Sequence, residues 1–213
     1  MLKKFLRREK GITGLETAII LIAFVVVAAV FAYTTLSAGL FSTQKSQEAV
    51  YSGLKEAQST LELKGNVIAT ANTTGSAGTI KQVSFTVCNV LGGEPMDFTA
   101  PTADTATGVA ASGSSNKVVI NYVDQDQTVN DLYWTITKLG GSDTDDLLEN
   151  NEKFKITIGS DTAGAGAGNL MDALGTDLSI NKRFSLIVQT PVGAVLEIER
   201  TTPAYIDTIM NLR

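Results

Sequence analysis

Between Thr17 and Gln44 the sequence carries no charged residue, and within that span Ala18-Ile19-Ile20-Leu21-Ile22-Ala23-Phe24-Val25-Val26-Val27-Ala28-Ala29-Val30-Phe31-Ala32-Tyr33 is almost wholly apolar. As an α-helix rising 1.5 Å per residue, about 20 such residues cross roughly 30 Å of hydrocarbon. In front of the run, Lys3, Lys4, Arg7, Arg8 and Lys10 stand against a single Glu9, a local balance of +4 that leaves the rest of the chain at −9. A positive flank holds the N-terminus on the cytoplasmic side and sends the C-terminal remainder outward. A secretory signal would pair its basic start with a shorter apolar core and a small-x-small cleavage site. Here the run is longer, and Thr34-Thr35-Leu36-Ser37-Ala38-Gly39 is a weak candidate for such a site. Hydropathy alone therefore describes a signal anchor tethering an outside domain.

Composition removes most catalytic chemistry. With no histidine there is no Ser-His-Asp or Cys-His arrangement and no imidazole base. One cysteine builds neither a tetrahedral zinc or iron-sulfur site nor an intramolecular disulfide. A formal charge of −5 argues against nucleic acid, whose backbone requires a basic face. The length of 213 residues suits one domain with an appendage.

Beyond Tyr33 the helical signal continues but becomes amphipathic. Val50, Leu54, Ala57 and Leu61 recur at spacings of 4, 3 and 4, while Lys45, Glu48, Lys55 and Glu56 take other faces. The pattern predicts one rod from about Ile12 to about Leu63, apolar all round in its first half and with a single seam in its second. Burying ten of its large apolar side chains would contribute about 15 to 30 kcal/mol before ordering costs. An enzyme has no use for such a tail, whereas a polymer does.

From Gly65 onward the pattern changes to short β-branched and aromatic runs between Gly, Ser, Thr, Asn and Asp clusters. Strands are predicted at 67–71, 81–90, 117–123, 131–139, 153–158, 184–190 and 193–200. Alternation is clear in Val83, Phe85, Val87 and in Leu132, Trp134, Ile136. The last two runs flank Pro191-Val192-Gly193 and read as a hairpin. Long helix and strand-rich remainder together make an α+β chain with an antiparallel β-sandwich head. Residues 99–116 and the glycine-rich stretch 159–169 read as solvated outer loops. The latter contains neither a G-x-G-x-x-G nor a Walker register.

A few residues invite chemistry. Asp124 and Asp126, and again Asp143, Asp145 and Asp146, supply carboxylates suited to calcium, although neither cluster matches an EF-hand loop and acidic turn residues are commonly just solvated. Calcium is the one cofactor the sequence brings into view; otherwise none is expected. Asn72-Thr73-Thr74 is the sole N-x-S/T sequon, a candidate glycosylation site. Cys88, within a predicted strand, reads as a small buried hydrophobe.

The start of the chain, Arg7-Arg8-Glu9-Lys10-Gly11-Ile12-Thr13-Gly14-Leu15-Glu16-Thr17, resembles the class III, prepilin-type leader. That resemblance implies cutting by a membrane peptidase between Gly11 and Ile12, on the cytoplasmic side of the apolar helix, with Glu16 as the fifth mature residue. Removing the cationic cap leaves a helix that can be drawn from lipid. A carboxylate in hydrocarbon costs about 2.5 to 3.5 kcal/mol. Glu16 either pairs with the new α-amino group of a neighbouring subunit and sets register, or sits at the interface near the positive helix end, worth up to about 1 kcal/mol.

Taken over nearly its whole length, the chain resembles an archaellin, the archaeal flagellin. The most specific matches are Lys10-Gly11-Ile12-Thr13-Gly14-Leu15-Glu16 and the closing segment Thr190-Pro191-Val192-Gly193-Ala194-Val195-Leu196-Glu197-Ile198-Glu199-Arg200-Thr201-Thr202-Pro203. The resemblance implies a leader at 1–11, a filament-core helix at 12–63 and an immunoglobulin-like head at 64–213. It implies a non-enzymatic structural subunit of the archaeal swimming filament, or archaellum, which polymerises with itself, either alone or together with related archaellins. Its other partners would be the preflagellin peptidase and the archaellum export and motor machinery. The product would be extracellular, with an inner-membrane precursor before cleavage. An archaeal type IV adhesion pilin is the alternative with the same leader and helix. A membrane-tethered receptor or enzyme domain is a third, for which the sequence offers no catalytic constellation.

Overall fold

The computed structural model describes the chain except for Met1, 91–92, 105–106, 160–168 and Arg213, and gives residues 2–13 and Gln58 as backbone only. Two compact units result, Met1–Ser52 and Gly53–Arg213. Helix α1 runs without a break over Leu2–Gln58, about 85 Å at 1.5 Å per residue. Lys55 lies in its last turn, where a cation favours the negative end of the helix dipole.

The helix stops short of Leu63. Although Leu61 continues the 4-3-4 spacing, Leu61–Leu63 forms strand β1 and pairs antiparallel with β3, Thr79–Asn89, in the register Leu61↔Asn89 and Leu63↔Val87. Pairing buries Leu61 and removes it from the helical seam. The other main strands are β2 (Val67–Thr73), β5 (Val119–Asp124), β7 (Trp134–Leu139), β9 (Lys153–Ile158), β10 (Arg183–Gln189), β11 (Leu196–Thr201) and β12 (Ile209–Leu212). Two-residue strands β4 (Met96–Asp97), β6 (Thr128–Val129) and β8 (Leu147–Leu148) and the one-turn helix α2 (Leu170–Ala173) complete the set.

All pairings are antiparallel. One sheet runs β12-β2-β3-β9-β7 with β1 also on β3, and a second runs β11-β10-β5-β6. Their inner faces meet in one core. Val83, Phe85 and Val87 face it from β3, Phe154, Ile156 and Ile158 from β9, and Ile120, Tyr122, Phe184, Leu186 and Val188 from the second sheet. Phe98 sits edge-on to both Trp134 and Phe154, at centroid distances of 6.1 and 6.0 Å, and Tyr122 stacks on Phe184 at 5.8 Å. Alternation along each strand, with polar residues between these apolar ones, is why the sheets pack face to face.

The closing hairpin forms, with Leu186↔Ile198 and Val188↔Leu196 in register, but its second strand begins at Leu196 and not at 193, so that the turn is longer than the sequence predicts. At its turn Gly193 has φ +102, and a Cβ there would overlap the Ser59 carbonyl oxygen just past α1. Only glycine suits both the left-handed backbone and this approach. Residues 99–116 are less open than expected. Bridge Ala103↔Ala110 closes the segment on itself, Val109↔Leu132 ties it to the rest of the head, and Pro101 and Gly108 are buried. The glycine run at 163–168 lies outside the described residues.

Candidate assembly site

The largest feature without a partner in the isolated chain is the surface of α1. Its most apolar 18-residue window has a mean hydropathy of 2.7, and none of that window is buried. Between Leu15 and Phe41, fifteen large apolar or aromatic side chains are more than half exposed, Phe24 at 72% and Phe31 at 72% among them. A water-soluble monomer rarely shows a continuous apolar surface of this extent, so a covering phase is required.

Three threonines inside the run are prepared for such a covering. The hydroxyls of Thr34 and Thr35 donate to the Phe31 carbonyl at 2.9 and 2.8 Å, and Thr43 donates to the Gly39 carbonyl at 2.7 Å. Each hydroxyl is satisfied by its own helix, which removes much of the cost of taking it out of water. Around Gly39 the side chains of Phe31, Ala32, Thr35, Leu36, Leu40 and Thr43 border a shallow apolar groove. Charge returns only at Lys45, which is ion-paired with Glu48 at 2.6 Å. Gly11 and Ile12 lie within the helical backbone of α1, and Glu16 is exposed on the same helix at the mouth of the apolar run. This back-bonding of threonines follows from their placement in a helix, and the polar residues of the run were its signal in the sequence.

The five aspartates that the sequence offers as calcium ligands have local partners. Asp124 Oδ1 accepts the amides of Asp126 and Gln127 at 2.7 and 2.8 Å, and its Oδ2 accepts the Tyr122 hydroxyl at 2.7 Å. Burial pushes Asp124 up, but the hydrogen bonds from Tyr122 and the two amides outweigh it and hold the carboxyl below its ordinary value. Burial, then the Asp124 contact, pushes the Tyr122 hydroxyl up. Asp126 is ion-paired with Lys182, whose ammonium is raised by that hydrogen bond. Asp143 accepts the Asp145 amide, Asp145 accepts the Leu147 amide, and Asp146 pairs with Lys138 at 3.1 Å. Among the described residues no three carboxylates or thiols gather where a metal would be held.

Asn72 is exposed near the end of β2, where the register slips between Ala71↔Ile80 and Thr73↔Thr79. The bulge leaves it out of the ladder. Cys88 is a buried free thiol, raised by burial, 4.0 Å from Glu62 Oε2.

Comparison with known proteins adds a second line of observation. The family model for archaeal-type flagellin matches residues 11–200. Probable flagellin 1 of Archaeoglobus fulgidus is 39% identical over 214 residues, covering 98% of each chain. Among solved structures, the archaeal flagellum of Methanospirillum hungatei strain JF1 aligns with a TM-score of 0.57 at 31% identity, over 93% of this chain and 98% of that one. The archaeal flagellin FlaB1 from Methanocaldococcus jannaschii, 11% identical, aligns with a TM-score of 0.51 over 71% of this chain and 95% of that one, a likeness of fold alone.

Proposed function

This chain belongs to the archaeal-type flagellin family, and from that premise we infer that it is a structural subunit of an archaeal swimming filament whose core is made of bundled copies of α1. The observation that carries this reading is the uncharged, fully exposed apolar surface of α1 in a chain alike over its whole length to flagellins. Copies of the helix bury that surface against one another as they leave the bilayer, and the β-sandwich faces outward. Whole-length likeness to flagellins favours this reading over an adhesion pilin.

In the same reading residues 1–11 are a leader removed between Gly11 and Ile12, 12–63 are the assembly segment and 64–213 the outer domain. The precursor waits in the membrane with its basic end inside. A peptidase of the prepilin type processes it, and export and motor machinery act on it as partners. Glu16, close behind the new terminus, acts in register. Asn72, on an exposed bulge, is the glycan acceptor. N-terminal sequencing of filaments sheared from cells tests the processing: the expected first residue is Ile12. Gly11→Val should leave uncleaved precursor in the membrane, and normal processing of that variant would overturn the assigned site.

A further inference from the structure

The two outward faces of the head differ in charge in a manner suited to an open polymer. Across β9, β3, β2 and β12 the registers set Thr157, Ser84, Ile68 and Asn211 in one row on the side of the sheet away from the core, Thr157 being itself buried. Lys153 and Lys155 share the outward side of β9 with Thr157, since Phe154, Ile156 and Ile158 point to the core. No carboxylate occupies an outward position on β12, β2, β3, β9 or β7; Glu62 of β1 is ion-paired with Lys64 at 2.8 Å and, with Glu152, borders one cleft with Lys153, while Lys155 stands apart from that cleft. Ile68 and Ile209, diagonal to one another across β2 and β12, are 41% and 66% exposed. This face is therefore cationic and partly apolar on a chain that carries −9 outside its first eleven residues.

On the second sheet the outward side of β11 presents Glu197 and Glu199, the latter ion-paired with Arg183. Glu197 lies beside Ile187 in register, and Val195 just before the strand is 54% exposed. One face offers two lysines and exposed isoleucine. The other offers an unspent carboxylate and exposed valine.

We propose that the β12-β2-β3-β9-β7 face of one copy docks on the β11-β10-β5 face of the next, with Lys153 and Lys155 opposite Glu197. The occupant is a second copy because acidic chains repel except where a strand that presents lysines and no carboxylate, as β9 does, meets an acidic one. Contact between two different faces is heterologous, and such contacts propagate as helical filaments when they do not close into rings. The inference rests on the filament reading above and gives the heads their own role in subunit spacing.

Native filaments treated with a zero-length carbodiimide should yield inter-chain peptides joining Lys153 or Lys155 to Glu197 or Glu199. These lysines and glutamates stand on opposite outer faces of one head, so such a link reports two chains. As a second measurement, Lys153→Glu/Lys155→Glu and Glu197→Lys should each lower the temperature at which filaments dissociate, and combining them should restore it. Filaments whose lysines link only to other carboxylates or to a different protein, or a combined variant carrying the sum of both losses, would overturn the docking and leave the filament reading standing. Surface material containing no filament of this chain would overturn both.

Discussion

Replacing Gly193 by alanine adds one methyl group, and the structure says where it goes: into the Ser59 carbonyl, at a residue whose φ is +102. Left-handed backbone alone costs an L-residue roughly 1 to 2 kcal/mol. Relief of the overlap requires the hairpin turn to move off the chain leaving α1, which loosens the packing it secures and should bring the total to about 3 kcal/mol, within the range for strained sites. For a domain of this size each kcal/mol lowers Tm by roughly 2 to 4 °C, so a fall of about 6 to 12 °C is expected. Gly65 supplies the control. Its φ is +82, but nothing lies within 4 Å of an added Cβ, so Gly65→Ala should register only the backbone cost, about 2 to 8 °C on the same scale. Thermal unfolding of the full chain in detergent, followed by circular dichroism of the strands, measures both. Equal shifts in the two variants would refute the reasoning, because they would show that the close approach to Ser59 contributes nothing.

Lys117, then the Thr99 hydroxyl and amide, holds the Asp97 carboxyl down at about 2 against an ordinary 3.8. A depressed acid stabilises the fold above its unfolded pKa and loses that contribution as pH falls, so about 2 kcal/mol should disappear between pH 4 and pH 2; acid titration of Lys117→Met should show a smaller loss across that window. Phe98→Ala removes the ring packed against Trp134 and Phe154, with an expected destabilisation of about 3 to 5 kcal/mol; emission from Trp134, the sole tryptophan, reports the unfolding midpoint under denaturant. Phe24→Asp places a charge in the apolar surface, costing about 2.5 to 3.5 kcal/mol per copy in lipid and comparably in a dry bundle; filaments should be absent from electron micrographs while the strand signal of the head is retained.

Much of this architecture was legible because its signals are local. An uncharged run of helical length needs no tertiary context, and β9 at 153–158 is bounded by the residues that its alternation marks. Where sequence pattern and structure part, long-range pairing outweighs a local period. Leu61 fits the helical seam, yet β3 captures it as a strand residue. Strands of two residues carry no period at all, and β12 is a four-residue strand whose identity depends on β2 beside it. The one-turn helix α2 is too short to show a period, and it is fixed locally by the Asp172 carboxylate, which accepts the Asn169 amide at 2.9 Å. Acidic clusters were harder to interpret. Whether Asp126 solvates, coordinates or pairs depends on Lys182, which is 56 positions away in sequence. The uncharged run of α1 needed no such knowledge, because its chemistry is carried by consecutive residues.

Electron cryomicroscopy of filaments sheared from the producing cells tests the central claim most directly. The account predicts α1 helices bundled around the filament axis with the uncharged segment 17–44 at their contacts, and strands at larger radius. Filaments whose axis is lined by β-sheet, or in which segment 17–44 faces solvent, would contradict it.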